Sequence, residues 1–199
     1  MSAATSARTV SQAEGLEPVR ALQRVLYRGA KQDRERRFHA LLDKVARSDV
    51  MGQAWADVAA NRGAPGVDGV SIADIAAGGV ESVRTFLDGL AERVRSGTYR
   101  PQPLRRVHIP KSGRPGQTRP LGIPTVSDRV VMAAAKIVLE PIFEADFRPV
   151  SFGFRPKRSA QQALEVVRVA ANQGRVWVLD ADIKACFDTI DHDALIGQI

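Results

Sequence analysis

Acidic side chains cluster near the C-terminal end of the chain. Five aspartates fall within fourteen residues: Asp180, Asp182, Asp188, Asp191 and Asp193. Carboxylates this close repel one another unless a cation holds them, and Mg²⁺ binds carboxylate oxygens together with substrate phosphates. Asp182, at the end of a predicted strand, is therefore the candidate for metal-assisted phosphoryl transfer. The alternative interpretation is a solvated aspartate or a helix cap, which suits Asp191.

A strongly basic segment precedes this acidic one. From Arg93 to Arg119 the chain carries eight Lys or Arg residues and no Asp or Glu. Guanidinium groups bind phosphate oxygens in pairs, whereas a lysine acts as a mobile point charge. The segment therefore predicts binding of a nucleic-acid backbone or a triphosphate, with a solvated basic face as the alternative. The formal charge of +7 on the whole chain also favours a polyanionic partner.

Other reactive side chains do not form a catalytic pattern. His192 has no second His or Cys at ligand spacing, so a structural histidine beside a helix cap is the favoured interpretation. Cys186 is the single cysteine, which excludes an internal disulfide framework and favours a reducing compartment. The sequence contains neither an apolar run of membrane-spanning length nor a signal-peptide pattern. We therefore expect a cytoplasmic protein without a membrane partner.

The basic segment is predicted to form a β-hairpin. Apolar and polar side chains alternate in Leu104–Ile109, and a second strand is expected at Leu121–Ile123. The polar loop Lys111–Thr118 joins them. This arrangement would place several cations on one small, exposed sheet.

Helices are predicted on both sides of the hairpin. The apolar stripe Val83–Val94 ends near Gly97, which suits the position just after a helix. A second helix is expected to begin at Thr125 or Ser127 and to end before Pro141, because proline breaks a helix. This second helix is apolar on most sides and should therefore be buried.

The two ends of the chain are predicted differently. Met1–Gln12 lacks apolar periodicity, so a frayed terminus is expected. Near the other end, Ser159 and Gln162 form a capping-box pattern for a helix that Gly174 ends. The following run, Val176–Leu179, is typical of a short buried strand.

A series of motifs occurs in the order found in group II intron reverse transcriptases. The motifs are Gly63–Gly69, Gly97–Pro101, Ile109–Lys111, Arg119–Pro124, Asp128–Val130, Leu139–Glu144, Ser151–Pro156, Asp182–Asp188 and Ile190–His192. Residues 35–199 resemble the fingers and the first palm block of these enzymes. The resemblance implies an α+β fold: right-hand polymerase fingers with an incomplete palm, mostly helical, with a basic β-hairpin and a truncated palm sheet.

The resemblance divides the chain into three parts. Residues 1–30 are expected to form a partly disordered N-terminal extension, residues 31–175 the fingers, and residues 176–199 the start of a palm that is cut off at Ile199. The Tyr-Ala-Asp-Asp segment that supplies the other catalytic aspartate does not occur in this sequence. The chain by itself is therefore expected to be inactive.

The resemblance also implies roles for individual residues. Asp182, helped by the backbone carbonyl of Ile183, binds two Mg²⁺ ions for the addition of dNTPs to a DNA primer on an RNA template. Lys111 and Arg119 contact the incoming triphosphate, and the bulk of Phe187 excludes the 2′-hydroxyl of ribonucleotides. Further basic side chains are expected to contact nucleic acid: Arg100, Arg105, Arg106, Arg114, Arg155, Lys157 and Arg158.

Two departures from the family pattern concern these contacts. The Lys111–Arg119 loop is longer than expected, and Met132 and Gln161 replace an expected Gln and His on the template side. An alternative function stays open, namely a non-catalytic, maturase-like module that binds intron RNA by shape and phosphate contacts. A decayed remnant is a further alternative. The sequence does not predict an oligomeric state.

Overall fold

The computed structural model describes residues 3–114, 116–184 and 186–197, and the chain divides into two compact units, Met1–Phe147 and Arg148–Ile199. The first unit contains α1 (Ala3–Gln32), α2 (Leu41–Val45), α3 (Ser48–Ala60), α4 (Ile72–Ala76), α5 (Gly79–Arg95), β1 (Arg105–Pro110), β2 (Thr118–Ile123) and α6 (Val126–Asp146). The second contains α7 (Ala160–Asn172), α8 (Cys186–Thr189) and α9 (His192–Gly197). The described chain is mostly helical with a two-stranded antiparallel sheet, which agrees with the α+β class.

Helix α6 is the centre of the first unit's core. It packs against α1 and α3, and Val130, Ala134 and Val138 are fully buried along one of its faces. In the same core, Trp55 of α3 and Phe86 of α5 meet edge to face with ring centroids 5.8 Å apart. The prediction that this helix is buried is confirmed.

The predicted end of α6 before Pro141 is wrong, because the helix runs through this proline. A proline inside a helix removes the N–H that would bond to the carbonyl four residues earlier, which here is the carbonyl of Ile137. In its place, Nε2 of Gln23 in α1 donates to that carbonyl at 3.2 Å. Lys31 Nζ donates to the carbonyl of Ala145 in the last turn at 2.9 Å. Side chains of α1 thus satisfy carbonyls that α6 leaves open.

Helix α1 begins at Ala3, so the frayed terminus predicted for Met1–Gln12 is wrong for residues 3–12. Alanine has the highest helix propensity, and a helix can form there without the apolar periodicity on which the prediction relied. The helix is 30 residues long and runs through Pro18. Neither α1 nor any other helix in the described ranges combines the length and the apolar character needed to cross a membrane.

Helix α7 of the second unit has the ends that the sequence predicted. Ser159 and Gln162 form the capping box, and Gly174 follows the helix with a φ of 81°, which glycine adopts without strain. None of the side chains described in α7 is buried. The larger apolar side chains of this helix are exposed, among them Leu164.

The predicted buried strand at Val176–Leu179 is wrong. This segment has no strand structure, and Trp177 within it is 96% exposed. A strand needs a neighbour for its N–H and C=O groups, and no strand occurs in residues 148–184 or 186–197 to provide one. The truncated palm sheet is therefore not formed in the described part of the second unit. The division into fingers and palm at residue 175 stays a prediction, and the boundary between the compact units follows Phe147.

Candidate functional site

The hairpin β1–β2 places the two predicted triphosphate contacts on the same face. Arg119 lies opposite Ile109 in the antiparallel register, and the ladder continues into the loop, where Lys111 N donates to Gln117 O at 2.9 Å. Because side chains alternate between faces along a strand, Lys111 and Arg119 belong to one face of the hairpin. Arg106 belongs to the other face. The predicted hairpin is confirmed, with β2 beginning at Thr118.

The cations of the hairpin are open to solvent. Lys111, Arg114, Arg119 and Arg106 are exposed, and neither the strands nor their loop contain an acidic residue. Arg105 is half-buried on the Lys111 face, and its Nε is a buried donor without an acceptor in the part of the chain that the structure describes. An unpaired buried donor is costly.

A buried carboxylate holds the base of the hairpin. Asp128, in the first turn of α6, is 5% exposed. Its Oδ2 accepts from Thr125 Oγ1 at 2.6 Å and from Gln102 N at 3.3 Å, and its Oδ1 accepts from the Tyr99 hydroxyl. Burial, and after it the hydrogen bond to Asp128, raises the pKa of Tyr99 well above its ordinary value. At neutral pH the hydroxyl is protonated, as in any tyrosine, and is the donor in this bond.

The glycine-rich loop Gly63–Gly69 packs against the start of α6. Arg129 Nη2 donates to the carbonyl of Ala64 at 2.8 Å. A Cβ at Gly66 would lie 2.6 Å from the backbone of Thr125, so the close approach depends on the absence of a side chain. The predicted loop is confirmed. Its contacts with α6 adjoin the base of the hairpin.

Two of the predicted nucleic-acid contacts hold backbone carbonyls. Arg100 Nη1 donates to the carbonyl of the preceding residue at 2.7 Å, and Arg155 Nη1 donates to that of Arg148 at 2.8 Å. The guanidinium of Arg158 lies 5.5 Å from the centre of a phenylalanine ring, within cation–π range. Lys157 is exposed. Arg100 and Arg155 thus have a structural use, whatever else they bind.

The residues predicted to act at the catalytic centre are exposed. Asp182 and Ile183 lie in an irregular segment before α8, and Phe187 lies within α8 with 89% of its surface exposed. Asp191 Oδ1 accepts from Ala194 N at 2.9 Å, which confirms its interpretation as the cap of α9.

The segment around Asp182 carries the types of oxygen atom that Mg²⁺ binds. Mg²⁺ prefers carboxylate and carbonyl oxygens, and Asp182 and Ile183 offer one of each. Within residues 3–114, 116–184 and 186–197, no group of three His, Cys, Asp or Glu side chains is placed to hold a metal ion. Two protein oxygens are fewer than octahedral Mg²⁺ requires, so substrate phosphates and water would have to complete its coordination.

Sequence reasoning missed the residues that anchor the hairpin. Asp128 belonged to a motif of the resemblance, but no role was predicted for it or for Tyr99. The spacing of Thr125 and Asp128 is that of a helix N-cap and the residue bonded to it, and this signal could have identified part of the network. Tyr99 lies 29 residues before its partner, and no local pattern indicates the pair.

Comparison with known proteins adds information on ancestry. Residues 109–199 match the family model described as reverse transcriptase (RNA-dependent DNA polymerase). The chain is 37% identical to Protein YkfC of Escherichia coli (strain K12) over 185 residues, which are 89% of this chain and 47% of that protein. It is 35% identical to the group II intron-encoded protein LtrA of Lactococcus lactis subsp. cremoris over 184 residues, 92% of this chain and 30% of LtrA. The chain thus spans less than half the length of both relatives.

Proposed function

Because this chain belongs to the reverse transcriptase family of group II intron-encoded proteins, we propose that it supplies the nucleotide-binding fingers and the first catalytic carboxylate of an RNA-directed DNA polymerase. Its partners would be an RNA template, a DNA primer and dNTPs. The complete activity belongs to a polymerase that carries these residues together with the rest of its catalytic domain.

The observation that carries this proposal is the pairing of Lys111 and Arg119 on one face of an anchored hairpin. Both are exposed, Arg119 stands on β2 and Lys111 directly follows β1, and both lie within the residues that match the family model. A triphosphate has several oxygens, so a lysine point charge and a guanidinium fork can bind it at the same time.

The catalytic roles rest on the segment around Asp182. Its carboxylate and the Ile183 carbonyl would hold Mg²⁺, which when bound stabilises charge on the attacking and leaving oxygens of an in-line displacement. Phe187 would exclude ribonucleotides through a clash between its ring and the 2′-hydroxyl. Its ring is exposed and therefore available for such a contact. Lys111 and Arg119 would orient the triphosphate for the reaction.

Steady-state primer extension on an RNA template tests these roles in the polymerase that carries these residues. Asp182→Asn should reduce extension to background, because the amide is a poor Mg²⁺ ligand. Lys111→Ala and Arg119→Ala should each raise the KM for dNTPs about tenfold, the value of a charge-assisted hydrogen bond. Arg106→Ala removes the same charge from the opposite face and should leave this KM within about twofold.

The proposal is contradicted if substitutions on the two faces of the hairpin raise the KM equally. If Arg106→Ala raises the KM as much as Arg119→Ala, general positive charge and not a specific face binds the triphosphate. Full extension activity in Asp182→Asn would remove that aspartate from the catalytic centre.

RNA binding without catalysis is the second candidate function, and the remaining cations of the hairpin favour it. Arg106 lies on the opposite face, so a triphosphate on the Lys111 face does not use it, and Arg114 is exposed in the loop. Phosphate binding releases counterions, so affinity should fall steeply as salt rises.

A salt titration of RNA binding by the 199-residue chain tests this candidate. Each of Arg106→Ala and Arg114→Ala should reduce the slope of log affinity against log salt by about 0.7–0.9. Lys136→Ala is the matched control, because this lysine of α6 lies outside the hairpin and is 3.5 Å from Glu140. It should leave the slope unchanged. Binding that is insensitive to salt would count against a phosphate interface.

A further inference from the structure

The hairpin is attached to the core at two places, and the Asp128 carboxylate bonds to both. Gln102, whose N–H donates to Oδ2, precedes β1, and Thr125, whose hydroxyl donates to the same oxygen, follows β2. Tyr99 adds a third donor from the segment that leads into β1. One side chain of α6 therefore holds the segments entering and leaving the hairpin.

This arrangement goes beyond ordinary helix capping. Thr125 caps α6 by accepting from Asp128 N at 3.1 Å. This hydrogen bond by itself is sufficient for an N-cap. In a capping box the acidic side chain would turn back to the backbone N–H of the cap residue. Here the carboxylate accepts instead from the chain before β1, more than twenty residues upstream.

The tyrosine is itself held by the preceding helix. Its ring lies under the Arg93 guanidinium, with 5.9 Å between the guanidinium carbon and the ring centre. Its backbone N donates to the carbonyl of Arg93 at 2.9 Å. A chain of contacts thus runs from the end of α5 through Tyr99 to Asp128 and α6. Both helices belong to the buried core, which makes them a rigid support.

We propose that Asp128 and Tyr99 are positioning residues, which fix the base of the hairpin so that Lys111 and Arg119 meet a triphosphate together. This inference rests on the proposed function of that face. Neither residue contacts the triphosphate. Loss of these contacts would make the hairpin more mobile. Binding of one ligand by both cations would then have to order the hairpin, and this entropic cost reduces the affinity.

Hydrogen–deuterium exchange on the 199-residue chain tests, without any ligand, whether Tyr99 and Asp128 hold the base of the hairpin. Tyr99→Phe removes one hydroxyl and keeps the ring, so the fold should survive. Amides of β1 and β2 should exchange about 2- to 10-fold faster, the effect of one lost hydrogen bond on local opening. Exchange in α3 should not change. Tyr27→Phe is the matched control, because it removes the same atom from an exposed tyrosine, and hairpin exchange should stay at the wild-type rate.

Binding of dATP with Mg²⁺ then tests the link to function through a double-mutant cycle. Tyr99→Phe should weaken the affinity about 2- to 10-fold in the wild-type chain and have no further effect when Lys111 and Arg119 are both alanine. A general loss of stability would instead act equally in both backgrounds. Asp128→Asn should follow Tyr99→Phe in direction in both measurements.

The possible failures are distinguishable. If Tyr99→Phe leaves the exchange rates of the hairpin amides unchanged, or raises the rates in α3 equally, Tyr99 does not hold the base of the hairpin. Suppose that hairpin exchange is faster but that Tyr99→Phe leaves the affinity for dATP unchanged, or lowers it equally with and without Lys111 and Arg119. The positioning role is then wrong. If the wild-type chain binds dATP no better than the variant lacking both cations, the proposed triphosphate face fails, while the exchange result still decides whether Tyr99 and Asp128 hold the hairpin.

Discussion

Replacing Gln23 by methionine tests how α6 tolerates Pro141. The substitution keeps the length and the helix propensity of the side chain but removes the amide that donates to the Ile137 carbonyl at 3.2 Å. Pro141 cannot supply that hydrogen bond, because it has no N–H. The carbonyl would then lose its donor in a partly buried position. We expect the first unit to lose stability.

The magnitude follows from the surroundings of this bond. Leaving a buried acceptor unsatisfied costs about 1–3 kcal/mol. The bond is only partly buried, so water can partly replace the amide, and about 1 kcal/mol is expected. Urea unfolding followed by Trp55 fluorescence measures this loss. Trp55 reports on the core because its ring packs on Phe86, whereas Trp177 is already 96% exposed in the folded chain.

Repeating the Gln23→Met substitution in a Pro141→Ala variant decides whether the glutamine compensates for the proline. Alanine restores the backbone N–H, so the Ile137 carbonyl gains its intrahelical partner and the Gln23 amide becomes redundant. The free-energy cost of Gln23→Met should therefore fall from about 1 kcal/mol to roughly zero in that background, a coupling that a double-mutant cycle measures directly. The same cost in both backgrounds would refute the reasoning, because the glutamine would then stabilise the fold by packing alone.

Two glycine substitutions test the packing of the first unit with opposite signs. Gly66→Ala should destabilise it by about 1–3 kcal/mol in urea unfolding, because the new Cβ would lie 2.6 Å from the backbone of Thr125 and force the loop away from α6. Gly52→Ala, at a position of α3 where the added Cβ would meet nothing within 4 Å beyond the adjoining residues and backbone of its own helix, should stabilise by about 0.5–1 kcal/mol through helix propensity. A neutral Gly66→Ala would mean that the loop does not need its close contact.

Elements whose signals are local were predicted well from the sequence. The hairpin follows from alternation on both sides of a polar loop, and its register fixes which cations share a face. The capping box at Ser159 and the cap at Asp191 involve groups three residues apart. At both caps the atoms that satisfy the backbone lie three residues apart, and in the hairpin the two paired strands follow each other along the chain, so a local pattern was sufficient.

Predictions failed where the deciding partner is distant in sequence or is not among the described residues. Pro141 would end a helix by itself, and the amide that compensates for it is 114 residues away. Val176–Leu179 has the composition of a central strand, but composition cannot supply the neighbouring strand that its backbone requires.

The base of the hairpin shows why motif order alone does not assign roles. Three motifs of the resemblance, Gly63–Gly69, Gly97–Pro101 and Asp128–Val130, meet around the start of α6, where they bond or pack to one another. Lys111 and Arg119, in contrast, make no side-chain hydrogen bond within the described ranges that would occupy their charges. A motif of the resemblance can therefore be required for two physical reasons, to bind a ligand or to hold rigid the element that binds it. Exchange rates measured in Tyr99→Phe separate the second reason from the first.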